Sequence, residues 1–295
     1  MLTAAGMVSG LVAGVALGAP AVADGGGAAA CGAGADGSAV ALSVPSGASC
    51  EVSDDALPGD VTVAPGGRLY LTGGTVDGSL VAGDGAEVVL VDTTVYGGVT
   101  ARSATVDVLG GTVAGDVTLE GRGALQLQGV SVGGGIAGEV EVWAASESTV
   151  GGDVDVRSFT SASVDGSYVA GRVTLRRGVQ TVTASAVAEH LTSDLAEGAT
   201  VCRTDVGGNL KIKNSRTAVV RVGSSAPAPD LCDEATGGAL DVTVGGSAWF
   251  MDNRHSVLLG ALAVAGDLGC WGNTGPRGVE LGAVTAGGVR KAQCA

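Results

Sequence analysis

Residues 112–120 read Thr-Val-Ala-Gly-Asp-Val-Thr-Leu-Glu, and residues 149–157 read Thr-Val-Gly-Gly-Asp-Val-Asp-Val-Arg. Between them, residues 131–136 read Ser-Val-Gly-Gly-Gly-Ile. Self-similarity at a fixed short period is the signature of a stacked repeat, and here the register extends outward in both directions. Thr75, Thr94, Thr112, Ser131, Thr149, Tyr168, Ala186 and Asp205 follow one another at an alternating short period, each step equal to the last or different by a single position. Taking these as anchors, the next residue is valine in every coil: Val76, Val95, Val113, Val132, Val150, Val169, Val187 and Val206. Five positions after the anchor stand Leu80, Val99, Val117, Ile136, Val154, Val173, Leu191 and Leu210. Four positions before it stand Leu71, Leu90, Val108, Leu127, Ala145, Val164, Val182 and Val201. Three aliphatic columns give each coil three inward faces, because a strand sends alternate side chains to one side.

Glycine fills the third position after the anchor in seven of the eight coils, at Gly78, Gly97, Gly115, Gly134, Gly152, Gly171 and Gly208, with Glu189 the exception. Glycine accepts positive φ and close backbone approach, so this column predicts a bend repeated at one corner. Proline, which would remove ladder hydrogen bonds, is absent between Gly66 and Ala226. The expected fold is therefore all-β: a single-stranded parallel β-helix, or β-solenoid, with three-sided coils of about 18–19 residues, a right-handed winding and disulfide-stapled ends. An isolated coil has nothing above or below to bury its aliphatic residues against, so stability must be shared between neighbours. The register predicts that Val132→Asp is severe and that the same change at Gly133, outside the inward set, is mild.

The chain divides into an export signal at residues 1–23, a Gly/Ala-rich leader at 24–37, and a solenoid at 38–295. Within the solenoid the expected parts are an N-terminal cap (38–65), regular coils (66–222) and irregular C-terminal coils with a cap (223–295). The signal is read from the apolar stretch Leu2 to Leu17 followed by Pro20 and the small triplet Ala21, Val22 and Ala23; no Lys or Arg precedes Arg68. Beyond Asp205 the next anchor is Thr243, two repeat lengths on, which reads as two coils around an irregular segment holding Pro227, Pro229 and Cys232. Ala263 follows, and a last partial coil is expected near Ala283. Cys31, Cys50, Cys202, Cys232, Cys270 and Cys294 form an even set in an exported chain, which predicts disulfides. Fifteen pairings are possible; proximity favours Cys31 with Cys50, Cys202 with Cys232 and Cys270 with Cys294. Their spacing matches no zinc motif, and no metal or cofactor is implied.

Composition narrows the function. The formal charge is −14, which repels polyanions, so nucleic acid and anionic membranes are not expected partners. Beyond the N-terminus no apolar run reaches the roughly 20 residues of a membrane span. No nucleophile elbow, phosphate loop or EF-hand is present.

Val44-Pro-Ser-Gly-Ala-Ser-Cys50, Gly59-Asp-Val-Thr-Val-Ala-Pro-Gly-Gly67, the repeated Thr-Val-x-Gly-x-Val, Gly266-Asp-Leu-Gly-Cys-Trp-Gly-Asn273 and the late Cys294 resemble a group of uncharacterised secreted β-helix proteins of actinobacteria. The resemblance spans most of the mature chain and implies fold and export, with no activity attached. More loosely, the short coils are similar to bactofilins, whose β-helices polymerise end to end. Bactofilins are mainly cytoplasmic and lack such cysteines.

Function must then lie on the outward columns. Eight positions after the anchor come Arg102, Glu120, Glu139, Arg157, Arg176, Asp194 and Lys213, read as a solvated face with partial pairing. Four positions after it come Asp116, Gly135, Asp153, Arg172, His190 and Asn209. Asp153, Arg172 and His190 would stack as acid, cation and titratable base, the arrangement a polysaccharide lyase or glycoside hydrolase of β-helix type would need. Asp116 and Asp153, two coils apart, approach the carboxylate separation of inverting glycosidases. The hydroxyls of the anchor column read as hydrogen-bonded corners. Arg203, Lys211, Lys213, Arg216 and Arg221 make a basic stretch within an acidic chain, with Lys211, Lys213 and Arg216 the candidates for meeting an anionic wall polymer. The preferred expectation is a secreted or cell-surface structural or binding module without catalysis, interacting with cell-wall or extracellular glycan; the enzyme is the alternative.

Overall fold

The computed structural model describes residues 40–223, 232 and 242–295; the expected export signal, the leader and Cys31 lie outside them. Every regular element among the described residues is a strand. All strand pairs are parallel and join equivalent positions one coil apart, as in Leu71↔Leu90, Leu80↔Val99, Val113↔Val132 and Val132↔Val150. The result is a β-solenoid of about 12 turns. At the strand spacing of ~4.8 Å this stack is roughly 55 Å long.

The three aliphatic columns all face inward, and none of those side chains is more than 3 % exposed. Two more inward columns flank them. Six positions before the anchor lie Leu69, Val88, Val106, Leu125, Trp143, Ala162, Gln180 and Ala199, and seven after it lie Ala82, Ala101, Leu119, Val156, Leu175, Ser193 and Ile212, all buried. Trp143 is the largest of them and fully buried, with Leu125 and Ala162 as its register neighbours. The turn that holds this indole carries Gly138 where other turns carry Leu119 or Leu175, so its widest side chain coincides with a missing one.

Two corners use the left-handed region, the second of them, at residues such as Ser103, Leu195 and Asn214, only in some turns. Two positions before the anchor, φ is positive in every regular coil: Gly73, Asp92, Gly110, Gly129, Glu147, Gly166, Ala184 and Arg203. Four of these have side chains, a conformation costing about 1–2 kcal/mol each. Each of the four is followed by a buried hydroxyl: Thr93, Ser148, Ser185 and Thr204. These hydroxyls donate to the carbonyls of Val91, Ser146, Thr183 and Cys202 at 2.7–3.0 Å. Ser148, Ser167 and Ser185 also accept from the amides of Val130, Ser148 and Ser167. The corner hydroxyls expected in the anchor column thus belong one residue earlier, where the reversed backbone brings carbonyl and hydroxyl together.

The glycine column bends for one of the two reasons anticipated. None of its members has positive φ. At Gly171 a Cβ would fall on Asp153 Oδ1 and approach the carbonyl carbon of Gly152 at 2.8 Å. Close approach of the coil beneath therefore selects glycine, and Gly133 is subject to the same constraint. Its Cβ would sit 2.5 Å from the Ala114 oxygen, so Gly133 is not the neutral control that its outward position suggests.

Several boundaries shift. Residues 40–65, expected as a cap, form a coil in register with the next, through Cys50↔Leu69, Leu57↔Val76 and Val61↔Leu80. The double-length step after Asp205 is one coil, because Asp205 pairs with Thr243 and Leu210 with Ala248. The extra length is an insertion at one corner, which spacing alone could not distinguish from a second turn. The last anchor is Thr285 rather than Ala283, since Ala263 pairs with Thr285. Cys202 is bonded to Cys232, tying the insertion to a regular coil, and Cys270 to Cys294 closes the last turns. Cys50 is disulfide-bonded and buried.

Candidate functional site

The enzyme-like column stacks as the register requires, with the carbonyl of Arg172 accepting from Val154 and that of His190 from Val173 on successive coils. Its side chains, however, are turned along the stack. Asp116 Oδ1 accepts from the Gly135 amide at 2.7 Å, Asp153 Oδ1 from the Arg172 amide at 2.8 Å, and His190 Nδ1 from the Asn209 amide at 2.8 Å. Asn209 repeats the contact on Ser247, Ser247 on Asp267, and Asp267 on Val289. Asp60 and Ser79 begin the same ladder, accepting from Ser79 and Gly98.

At this corner an amide points along the axis with no strand partner, and in eight coils a short acceptor on the previous coil satisfies it; beneath Asp116, Asp153 and His190 that position holds Gly98, Gly135 and Arg172 instead. Gly-Asp, Gly-Asn and Gly-Ser are what the corner needs: glycine to admit the side chain below, then an acceptor for the coil above. Asp153 also binds the Arg172 guanidinium at 2.6 Å. That hydrogen bond, then the Arg172 amide, hold its carboxyl below the usual range. Asp116 and Asp153 lie two coils apart with Gly135 between them, as expected, but each already serves an amide.

A shallow depression of about 520 Å³ lies on a different face, lined by residues that include Gly138, Glu139, Asp155, Arg157, Arg176 and Arg177. All of its charges except Arg177 pair with one another. Arg157 meets Glu139 at 2.7 Å, and Arg176 meets Asp155. The rest of the charged column behaves likewise, with Arg102 on Glu120 at 3.0 Å and Lys213 on Asp194 at 2.9 Å. Exposed pairs such as Arg102 with Glu120 contribute about 0–1 kcal/mol and mark a solvated face, whereas Lys213 and Asp194 are half-buried.

The basic stretch is distributed around the coil, since Arg203 to Arg221 is as long as a whole turn. Arg203 sits at a left-handed corner, and Arg221 lies in register with Thr200 on a separate face. Lys211 and Lys213 share the strand Leu210–Lys213, with Arg216 just past its end. On that face sequence reasoning missed two tryptophans. Lys211 pairs in register with Trp249, Trp249 with Gly269, and Gly269 with Lys291. Trp249 and Trp271 stack with ring centroids 5.4 Å apart at 28°. The signal was available: the consecutive anchors Thr243 and Ala263 already set both indoles on outward positions of one face.

The disulfides suit an oxidising compartment. No helix among the described residues is long and apolar enough to cross a membrane. No protein-family model matches the chain, and comparisons with curated proteins and with solved structures return no match.

Proposed function

We propose that this chain is an exported or cell-surface β-solenoid that acts as a rigid structural or binding module, without catalysis, and that it meets cell-wall or extracellular polysaccharide along its outer faces. The observation that carries this reading is the fate of the enzyme-like column: Asp153 and His190 each accept the amide of the coil above. A general acid or base must be free to take or give a proton at the substrate, and these atoms are committed to the fold. Export is supported by the N-terminal apolar segment and by the disulfides. Two measurements test the reading. Incubation with a panel of wall and extracellular glycans should give no cleavage or elimination products; turnover that disappears in His190→Ala would overturn the non-catalytic part. Wild-type protein should be retained on purified wall polysaccharide, and passage without retention would remove the binding part.

A further inference from the structure

We propose that Trp249 and Trp271 form a platform for a neutral pyranose oligosaccharide, whose hydroxyls are met by Lys211 and by the Lys291–Asp267 pair. This rests on the reading of the chain as a polysaccharide-binding module and assigns that binding a place and a ligand class.

The platform is built, not incidental. The strands Ala248–Met251 and Leu268–Trp271 are neighbours in register. Gly269 stands at an outward position yet is buried, because the benzo edges of both indoles meet over it; a Cβ there would lie 2.6 Å from Trp249 Cε3 and closer still to Trp271. The glycine thereby lets the two stacked rings close over the strand. Trp271 remains 38 % exposed, while the other tryptophan, Trp143, is in the core. Lys291 Nζ lies 5.6 Å from the Trp249 ring and 2.5 Å from Asp267 Oδ2. Lys211, beside Trp249, forms no ion pair among the described residues.

The chemistry of this surface selects its occupant. An indole face presents an apolar plane, which suits the C–H face of a sugar ring, and Trp anchors are the residues that most often carry binding energy. The ring's equatorial hydroxyls then need donors and acceptors at the rim. Ammonium groups only donate and carboxylates only accept, and both are present. The face has no excess of positive charge to hold a polyanion: Lys213 pairs with Asp194 and Lys291 with Asp267, which leaves Lys211 against Asp252, and the whole chain carries −14. The face is a flat strand surface open along the stack axis, so an extended oligomer can lie on it without entering a pocket.

The test uses the intact, oxidised protein and calorimetry with cellohexaose and chitohexaose as probes, alongside polygalacturonate and a thymidine oligonucleotide. Wild type should bind one of the neutral hexasaccharides, with affinity changing less than about twofold between roughly 0.05 and 0.5 M salt. Trp271→Ala should weaken binding at least about tenfold, and Trp271→Phe should restore part of it. Gly269→Val keeps both indoles in the chain but displaces them from the strand, and should weaken binding similarly; thermal melting confirms that each variant folds. Undiminished binding by the Trp249→Ala/Trp271→Ala protein would overturn the platform and leave the polysaccharide reading standing. Binding of only polygalacturonate or the oligonucleotide would overturn the ligand class, as would failure of wild type to bind either hexasaccharide. Failure of wild type on every wall polysaccharide as well would remove both readings.

Discussion

The regular coils and the last three coils share one core but close their corners differently. In the regular part a left-handed residue is supported by the hydroxyl after it, as in Glu147 with Ser148 and Ala184 with Ser185. In the last coils a different corner carries a ladder of amides. Asn253 Oδ1 accepts from the Ser215 amide at 3.0 Å, and Asn273 Oδ1 accepts from Asn253 Nδ2 at 2.9 Å. Gln293 Oε1 accepts from Asn273 Nδ2 at 3.0 Å, and Gln293 returns a bond to the Asn273 carbonyl at 2.8 Å. The inward column there changes from Leu175 and Ile212 to Phe250 and Cys270. By the final turn Arg290 stands where an aliphatic residue would be, and it is exposed. The difference teaches that the inner columns define the fold, while corner devices are interchangeable provided each stranded amide and carbonyl finds a partner. Where the core runs out, amide bonding and a disulfide take over.

The sharpest way to break this contrast is in the middle of the regular stack. Val132 is 1 % exposed, with Val113 and Val150 in register on either side. Val132→Asp should cost about 4 kcal/mol or more, or prevent folding, because the carboxylate has no partner in an aliphatic shaft. Ser131→Asp, on the adjacent exposed position, should stay within about 0.5 kcal/mol. Urea melts read both; equal damage would mean that inner and outer columns are not distinct. Next in size is the terminal device. Reducing Cys270–Cys294, which are 24 apart in sequence, should remove about 3 kcal/mol from the last coils. Hydrogen exchange should then quicken in Val257–Leu259 and Leu268–Trp271 while Val113 and Val132 stay protected; uniform quickening would show that the two regions are one cooperative unit. Removing a single corner acceptor should do less. Asp153→Ala should cost about 1 kcal/mol, and Asp153→Asn, which keeps the acceptor, well under half of that.

Much of this was legible beforehand, for identifiable reasons. The valine column and its two companions recur at fixed offsets because a stacked turn has no alternative way to bury them, so periodicity alone gave the all-β solenoid and its register. Trp143 and Gln180 hid a fourth column, because one is aromatic and the other polar at positions that are aliphatic in most coils. The insertion after Gly223 could not be sized, since a step of two repeat lengths fits one coil with an excursion as well as two coils. Asp153, Arg172 and His190 fall on consecutive coils, as their spacing gives, but the amide bonds that Asp153 and His190 accept were not legible: an acceptor for a backbone amide and a catalytic carboxylate look alike until the direction of the side chain is known. The tryptophan pair was missed although the anchors Thr243 and Ala263 already set its two members on consecutive coils; only their alignment with Lys211 waited on sizing the insertion.

The smallest effects concern pH, and two carboxylates should respond with opposite sign. Asp153 has its folded pKa lowered by the Arg172 hydrogen bond, so its contribution is present at neutral pH and is lost as the medium falls below the ordinary carboxylate range. Asp107 is raised, first by burial and then by the charge of Glu87, so its ionised form opposes folding and its penalty is relieved by acid. Asp107→Asn should therefore raise stability slightly at pH 7, by about a few tenths of a kcal/mol, and should make no such gain near pH 3. A loss at pH 7 would contradict the sign.

The most direct test of the central claim, that the most enzyme-like column is a ladder of backbone acceptors, is a through-bond nitrogen–nitrogen coupling across a hydrogen bond. In uniformly ¹⁵N-labelled protein at neutral pH, the Asn209 amide should show a cross-peak to His190 Nδ1, the pair placed 2.8 Å apart. A His190 ring that carries its proton on Nδ1, with no coupling to Asn209, would leave the imidazole free for chemistry and contradict the account.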